Sequence, residues 1–87
     1  MPSGIELKGR AEMLSATIRM HRGELDDAHR LLQRALERWQ AGGDRRGVAA
    51  ALGGLGLVAH RRGQLEPAVD HYRLAIAAGR AAGDLRV

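Results

Sequence analysis

The sequence predicts an all-α fold of four helices arranged as two helix-turn-helix units. Three observations carry this. The chain repeats itself at an offset of forty residues, apolar positions recur at helical spacing within each unit, and glycine, proline and acidic residues fall where helices begin and end. Arg22 to Asp44 lies over Arg62 to Asp84, with Arg22/Arg62, Gly23/Gly63, Leu25/Leu65, Ala28/Ala68, Ala35/Ala75, Gly43/Gly83 and Asp44/Asp84 identical. Further back, Ala11 falls on Ala51, Ala16 on Gly56 and Ile18 on Val58. The expected organisation is a single domain over 1–87. Its first repeat covers about 4–43 and its second about 44–83, and 84–87 form a tail or the truncated start of a next repeat.

Each helix has local signals. The first is expected to start at Ser3, because Ser3-x-x-Glu6 is a capping box, and to end near Arg22, where Gly23 can adopt the left-handed conformation. The second runs from about Glu24 to Ala41, with Asp26 and Asp27 in the first turn, where the helix dipole favours anions; Gly42-Gly43 ends it. Asp44 then caps a third helix that reaches about Arg62 before Gly63. The fourth starts near Gln64, tolerates Pro67 in its first turn and continues to about Ala82. Val48, Leu52, Leu55 and Ala59 recur at i, i+4, i+7 and i+11, and strand signals are absent.

The stretch ALGGLGLVA, residues 51–59, admits a competing local reading. Gly54-x-Gly56-x-x-Ala59 satisfies the loose pattern of a dinucleotide-binding turn. That turn needs a strand before the glycines and a helix opening after them, whereas these glycines fall in the middle of a helix starting near Asp44. No acid stands about twenty residues further on to hold a ribose. Gly56 aligns instead with Ala16, a position where a missing side chain lets the paired helix approach. Gly53 falls on a different face.

Leu52, Leu55-Gly56, Ala59, Gly63, Ala68, Tyr72 and Ala75 follow the order and spacing of a known signature, and on them the second unit resembles the tetratricopeptide repeat. The first unit is a weaker copy: Ala16, Gly23, Ala28, Leu32 and Ala35 fit, while Ser15 replaces a leucine and Glu12 stands where an apolar or aromatic residue is usual. The resemblance covers about Gly9 to Asp84, and the forty-residue period is similar to the longer repeats of bacterial regulators and kinesin-light-chain-like arrays. It implies antiparallel helix pairs stacked in a right-handed superhelix, with the first helix of each pair lining a concave groove for a peptide, helix or partner protein. By position, Arg10, Met13, Thr17, Met20 and His21 would line that groove from the first helix. Ala50, Gly53, Leu57, His60 and Arg61 would line it from the third. Some relatives clamp a C-terminal carboxylate there, but Met13 and Thr17 replace part of the clamp, so that specificity is not expected.

Composition narrows the alternatives. Net charge is +4 with thirteen arginines and one lysine, yet opposite charges are interspersed and only Trp39 and Tyr72 could stack on bases. Nucleic-acid binding is therefore disfavoured; an arm of a bacterial transcriptional regulator touching nucleic acid through its arginines is the alternative reading. There is no cysteine, and no run approaches the roughly 18 apolar residues of a membrane span. A cytoplasmic protein with no membrane contact is the default expectation.

No catalytic set emerges. His21 and His60 could approach across the groove, but no third ligand stands at helical spacing, so neither a metal nor any other cofactor is expected. His29 and His71 read as half-exposed helix residues. Ser3, Ser15, Thr17 and Tyr72 have no base placed beside them, so the chain is not expected to be an enzyme. Trp39 reads as partly buried, and Arg30, Arg34 and Arg38 form a stripe on a solvated outer face. Repeats bury their cores against neighbours, and two are few. Leu65, Val69, Tyr72 and Ile76 cannot all face the third helix, which predicts self-association, most simply a dimer, or continuation in a longer array.

Overall fold

Four helices occupy residues 4–83, the part of the chain that the computed structural model describes: α1 (Gly4–His21), α2 (Leu25–Gly42), α3 (Arg45–Arg61) and α4 (Leu65–Gly83). Their ends lie within about one residue of the sequence expectation, because the stop signals are local. Gly23, Gly43 and Gly63 all have positive φ, between 70° and 79°. In each case two hydrogen bonds close a Schellman turn around the glycine. Glu24 N donates to Arg19 O (2.9 Å) and Gly23 N to Met20 O (3.0 Å), and the pattern recurs at Asp44/Gly43 and Gln64/Gly63. Asp44 caps α3 as expected, its carboxylate accepting from Gly47 N at 2.9 Å. Asp26 and Asp27 do open α2, where they also pair with Arg62 and with Arg30. The capping box at Ser3 lies outside the described residues, as does Asp84.

Consecutive helices pack on one another, α1 on α2, α2 on α3 and α3 on α4. The core is a continuous seam of small and branched side chains, with Leu32, Leu55 and Val58 the largest that are fully enclosed. Ala16, Ala28, Ala35 and Ala51 fill the closest approaches. Trp39 joins them at 5% exposure, more deeply buried than its place near the end of α2 suggested. Its indole lies between Gly9 of α1 and Gly47 of α3, where a built Cβ would fall 2.7 Å from the ring at Gly9 and closer still at Gly47. The indole N–H meets no acceptor, so the ring contributes volume and not a hydrogen bond.

The glycines of α3 divide by what they face. Gly54 admits Leu32 of α2, with a built Cβ 2.6 Å from its methyl, and Gly56 admits the ring of Tyr72 of α4 at 2.7 Å. Gly47, Gly54 and Gly56 therefore each exchange helix propensity, up to about 1 kcal/mol per glycine relative to alanine, for a close helix contact. Gly53 faces open space, with nothing within 4 Å of its built Cβ.

His29 of α2 is half-buried beside the Asp26–Arg62 pair that ties α2 to the end of α3. Its pKa is lowered from the ordinary 6.5, first by desolvation, then by the charges of Arg62 and His71, with Asp26 acting in the opposite direction. A histidine held neutral in the folded state binds fewer protons than the unfolded chain just below pH 6.5. Its contribution is complete above that pH and declines as pH falls through the lowered folded value.

Two stability outcomes follow. In urea unfolding, Gly53→Ala should stabilise by about 0.4–1 kcal/mol, whereas Gly47→Ala or Gly56→Leu should destabilise by about 1–3 kcal/mol through overpacking; the reverse ranking would mean that the helix register is wrong. In a series of melts between pH 7 and pH 5, the wild type should lose stability on acidification, and His29→Gln should show a shallower decline.

Candidate functional site

α1 and α3, the first helices of the two pairs, approach one another, whereas α2 and α4 have no close backbone approach among the described residues. Arg61 donates from a guanidinium nitrogen to Met20 O at 3.3 Å and so links the last turns of α1 and α3.

Of the ten residues expected in the groove, Arg10, Thr17, His21, Ala50, Leu57, His60 and Arg61 are exposed, and Met13 and Gly53 are half-buried. Met20 differs. It is buried in the core, because the last turn of α1 lies under α3 and the side chain is drawn inward with the Arg61 contact over its carbonyl. Met13 also leans against the core, which leaves Leu57 as the large apolar group offered on this face. Around it Ala50 and Gly53, at i−7 and i−4 on α3, form a strip with little side-chain relief.

Local hydrogen bonds hold the polar groups of α1. Thr17 Oγ1 donates to Met13 O at 3.0 Å, and His21 Nδ1 donates to Thr17 O at 2.8 Å, since a carbonyl can only accept. His71 makes the same bond to Pro67 O on α4 and, like His29, is half-buried. No group of three His, Asp or Glu side chains able to hold a metal occurs among the described residues. No helix among them is long and apolar enough to cross a membrane.

The arginine stripe on α2 is largely engaged. Arg30 pairs with Asp27, and Arg38 reaches across to the half-buried Glu12 of α1. This pair accounts for an acid at a position where the repeat signature has an apolar residue. Arg19 bridges Glu24 at 3.1 Å and Asp27 at 3.6 Å. The outer face thus presents neutralised pairs more than a run of cations.

The four residues expected to mediate self-association lie along α4: Leu65, Val69 and Ile76 are exposed, and Tyr72 is half-buried with its ring against Gly56. A second exposed stripe, Leu7, Leu14 and Ile18 on the free side of α1, was not anticipated. Its signal was available in the forty-residue offset, which maps these positions onto the α3 face that meets α2.

No curated protein and no solved structure matches the chain. The family model described as Tetratricopeptide repeat matches residues 9–81. That span takes in both helix pairs, so the chain belongs to the tetratricopeptide repeat family.

Proposed function

We propose that this chain is a protein-interaction module that receives an extended or helical segment of a partner on its α1/α3 face. Repeats of this family are generally non-catalytic scaffolds for protein contacts, and the chain has their helix pairs. The observation that carries the finer reading is the exposed Leu57, set beside Ala50 and Gly53 on α3, with Arg61 tethered one turn further along. An apolar anchor would seat on Leu57 against Met13, whose unbranched side chain adapts to different shapes. Arg10 and Arg61 would select acidic groups flanking that anchor. A guanidinium already held by a carbonyl loses less side-chain freedom on binding than a free one.

The test uses displayed peptides selected on the wild-type chain and re-measured on variants. Leu57→Asp and Arg61→Glu should each weaken the selected peptides about tenfold or more, roughly 1.4 kcal/mol, with acidic residues enriched among the binders. Arg34→Glu, on the outer face, should leave affinity unchanged. Equal losses from Arg34→Glu, or selected peptides indifferent to Leu57 and Arg61, would place binding elsewhere.

A further inference from the structure

We infer that copies of this chain associate head to tail, the free face of α4 in one copy packing on the free face of α1 in the next. The inference rests on reading α4 as a self-association surface and adds the surface that it meets.

The chain contains its own template for this junction. Within one molecule, α2 of the first repeat packs on α3 of the second. On α3 the face that meets α2 is Gly47, Ala51, Gly54 and Val58: Gly47 lies against Trp39, Gly54 against Leu32, and the other two are fully enclosed. Shifted by forty residues these positions are Leu7, Ala11, Leu14 and Ile18, all exposed on α1, with Leu14 at 68%. On α2 the face includes Leu32 and Trp39, with Leu25 and Leu36 at i−7 and i+4 from Leu32 on the same side of the helix; the same shift gives Leu65, Tyr72, Ile76 and Gly79 on α4, with Leu65 at 64% exposure. Each molecule therefore has, on α4 and on α1, the repeat equivalents of two faces that meet once internally.

Charge fits the pairing, and size fits it where Gly79 meets Leu7; at the equivalent of the Leu32–Gly54 contact, Tyr72, whose ring is turned against Gly56 of its own copy, would stand opposite Leu14. At the internal junction a large residue of α2 meets a small one of α3, Trp39 on Gly47. Between copies the sizes reverse. Gly79 takes the place of Trp39 and Leu7 that of Gly47, so Leu7 of one copy would fill the space left at Gly79 of another. The internal junction is also clamped by Arg62 and Asp26. Their equivalents are Arg22 and Glu66, both exposed and neither in an ion pair among the described residues. Head-to-tail packing brings them together as the same cation-acid pair, whereas two α4 faces would leave Arg22 and the α1 stripe unused. Because the two surfaces differ, the contact is heterologous and does not close at a dimer.

Sedimentation velocity over a concentration series tests this, with circular dichroism confirming that each variant keeps its helix content. The wild type should grow past a dimer as concentration rises. Leu14→Glu and Ile76→Glu should each remain monomeric alone, yet an equimolar mixture should form a 1:1 dimer and nothing larger, because one variant keeps a competent α4 and the other a competent α1. Arg22→Glu and Glu66→Arg should each weaken assembly severalfold, and the two combined in one chain should restore it. If Leu14→Glu still dimerises while Ile76→Glu does not, α4 pairs with α4: the head-to-tail inference fails and the self-association reading stands. If the wild type stays monomeric to high micromolar concentration, both fail.

Discussion

The placement of the Trp39 indole between Gly9 and Gly47 is the contact on which the remaining helix arrangement depends. An aromatic of this size buries on the order of 150–250 Å², and here it does so against two other helices at once. The ring extends from the last turns of α2 to the first half of α1 and to the opening turn of α3. Both neighbours must lack a side chain for it to fit. That requirement sets the separation of α1 and α3 at one end of the molecule, while the Arg61 to Met20 hydrogen bond sets it at the other. Removing one such aromatic from a core costs about 3–5 kcal/mol, a large part of the net stability of a small domain.

The same device recurs along α3 with different partners. Leu32 enters at Gly54 and Tyr72 at Gly56, so one helix gives up side chains on two faces to admit α2 on one side and α4 on the other. The glycine-rich stretch that could pass for a phosphate-binding turn is thus the place where the two repeats are joined. Gly53 is the exception, with open space where its side chain would be. Glycines, alanines, Leu55 and Val58 make up the packed side of α3, while Leu57 is exposed.

What could be read before the structure divides along physical lines. Helix limits were legible because their causes lie within five residues of each end: a left-handed glycine, an acid accepting from the third amide, a proline in the first turn. The pairing of helices was legible from the recurrence at forty. Contacts between residues far apart in sequence were not. Nothing near Trp39 shows that Gly9, thirty positions earlier, makes room for it, and nothing near Met20 shows that α3 covers it. Glu12 looked like a flaw in the repeat until Arg38 was found opposite. Periodicity alone did not separate the free stripe on α1 from a buried face, although the forty-residue offset places Leu7, Leu14 and Ile18 on the equivalent of the α3 face that meets α2. Periodicity shows that a face is apolar but not which neighbour covers it.

Trp39 is the one tryptophan, and its fluorescence reports directly on the contact between α1, α2 and α3. Chemical unfolding should therefore be followed by its emission and by far-ultraviolet circular dichroism in the same samples. The native protein should emit at short wavelength and resist quenching by acrylamide, and the red shift should coincide with loss of helix in a single transition. A native emission already red-shifted and readily quenched, or an emission change completed well before the helices melt, would contradict the claim that this ring holds the two repeats together.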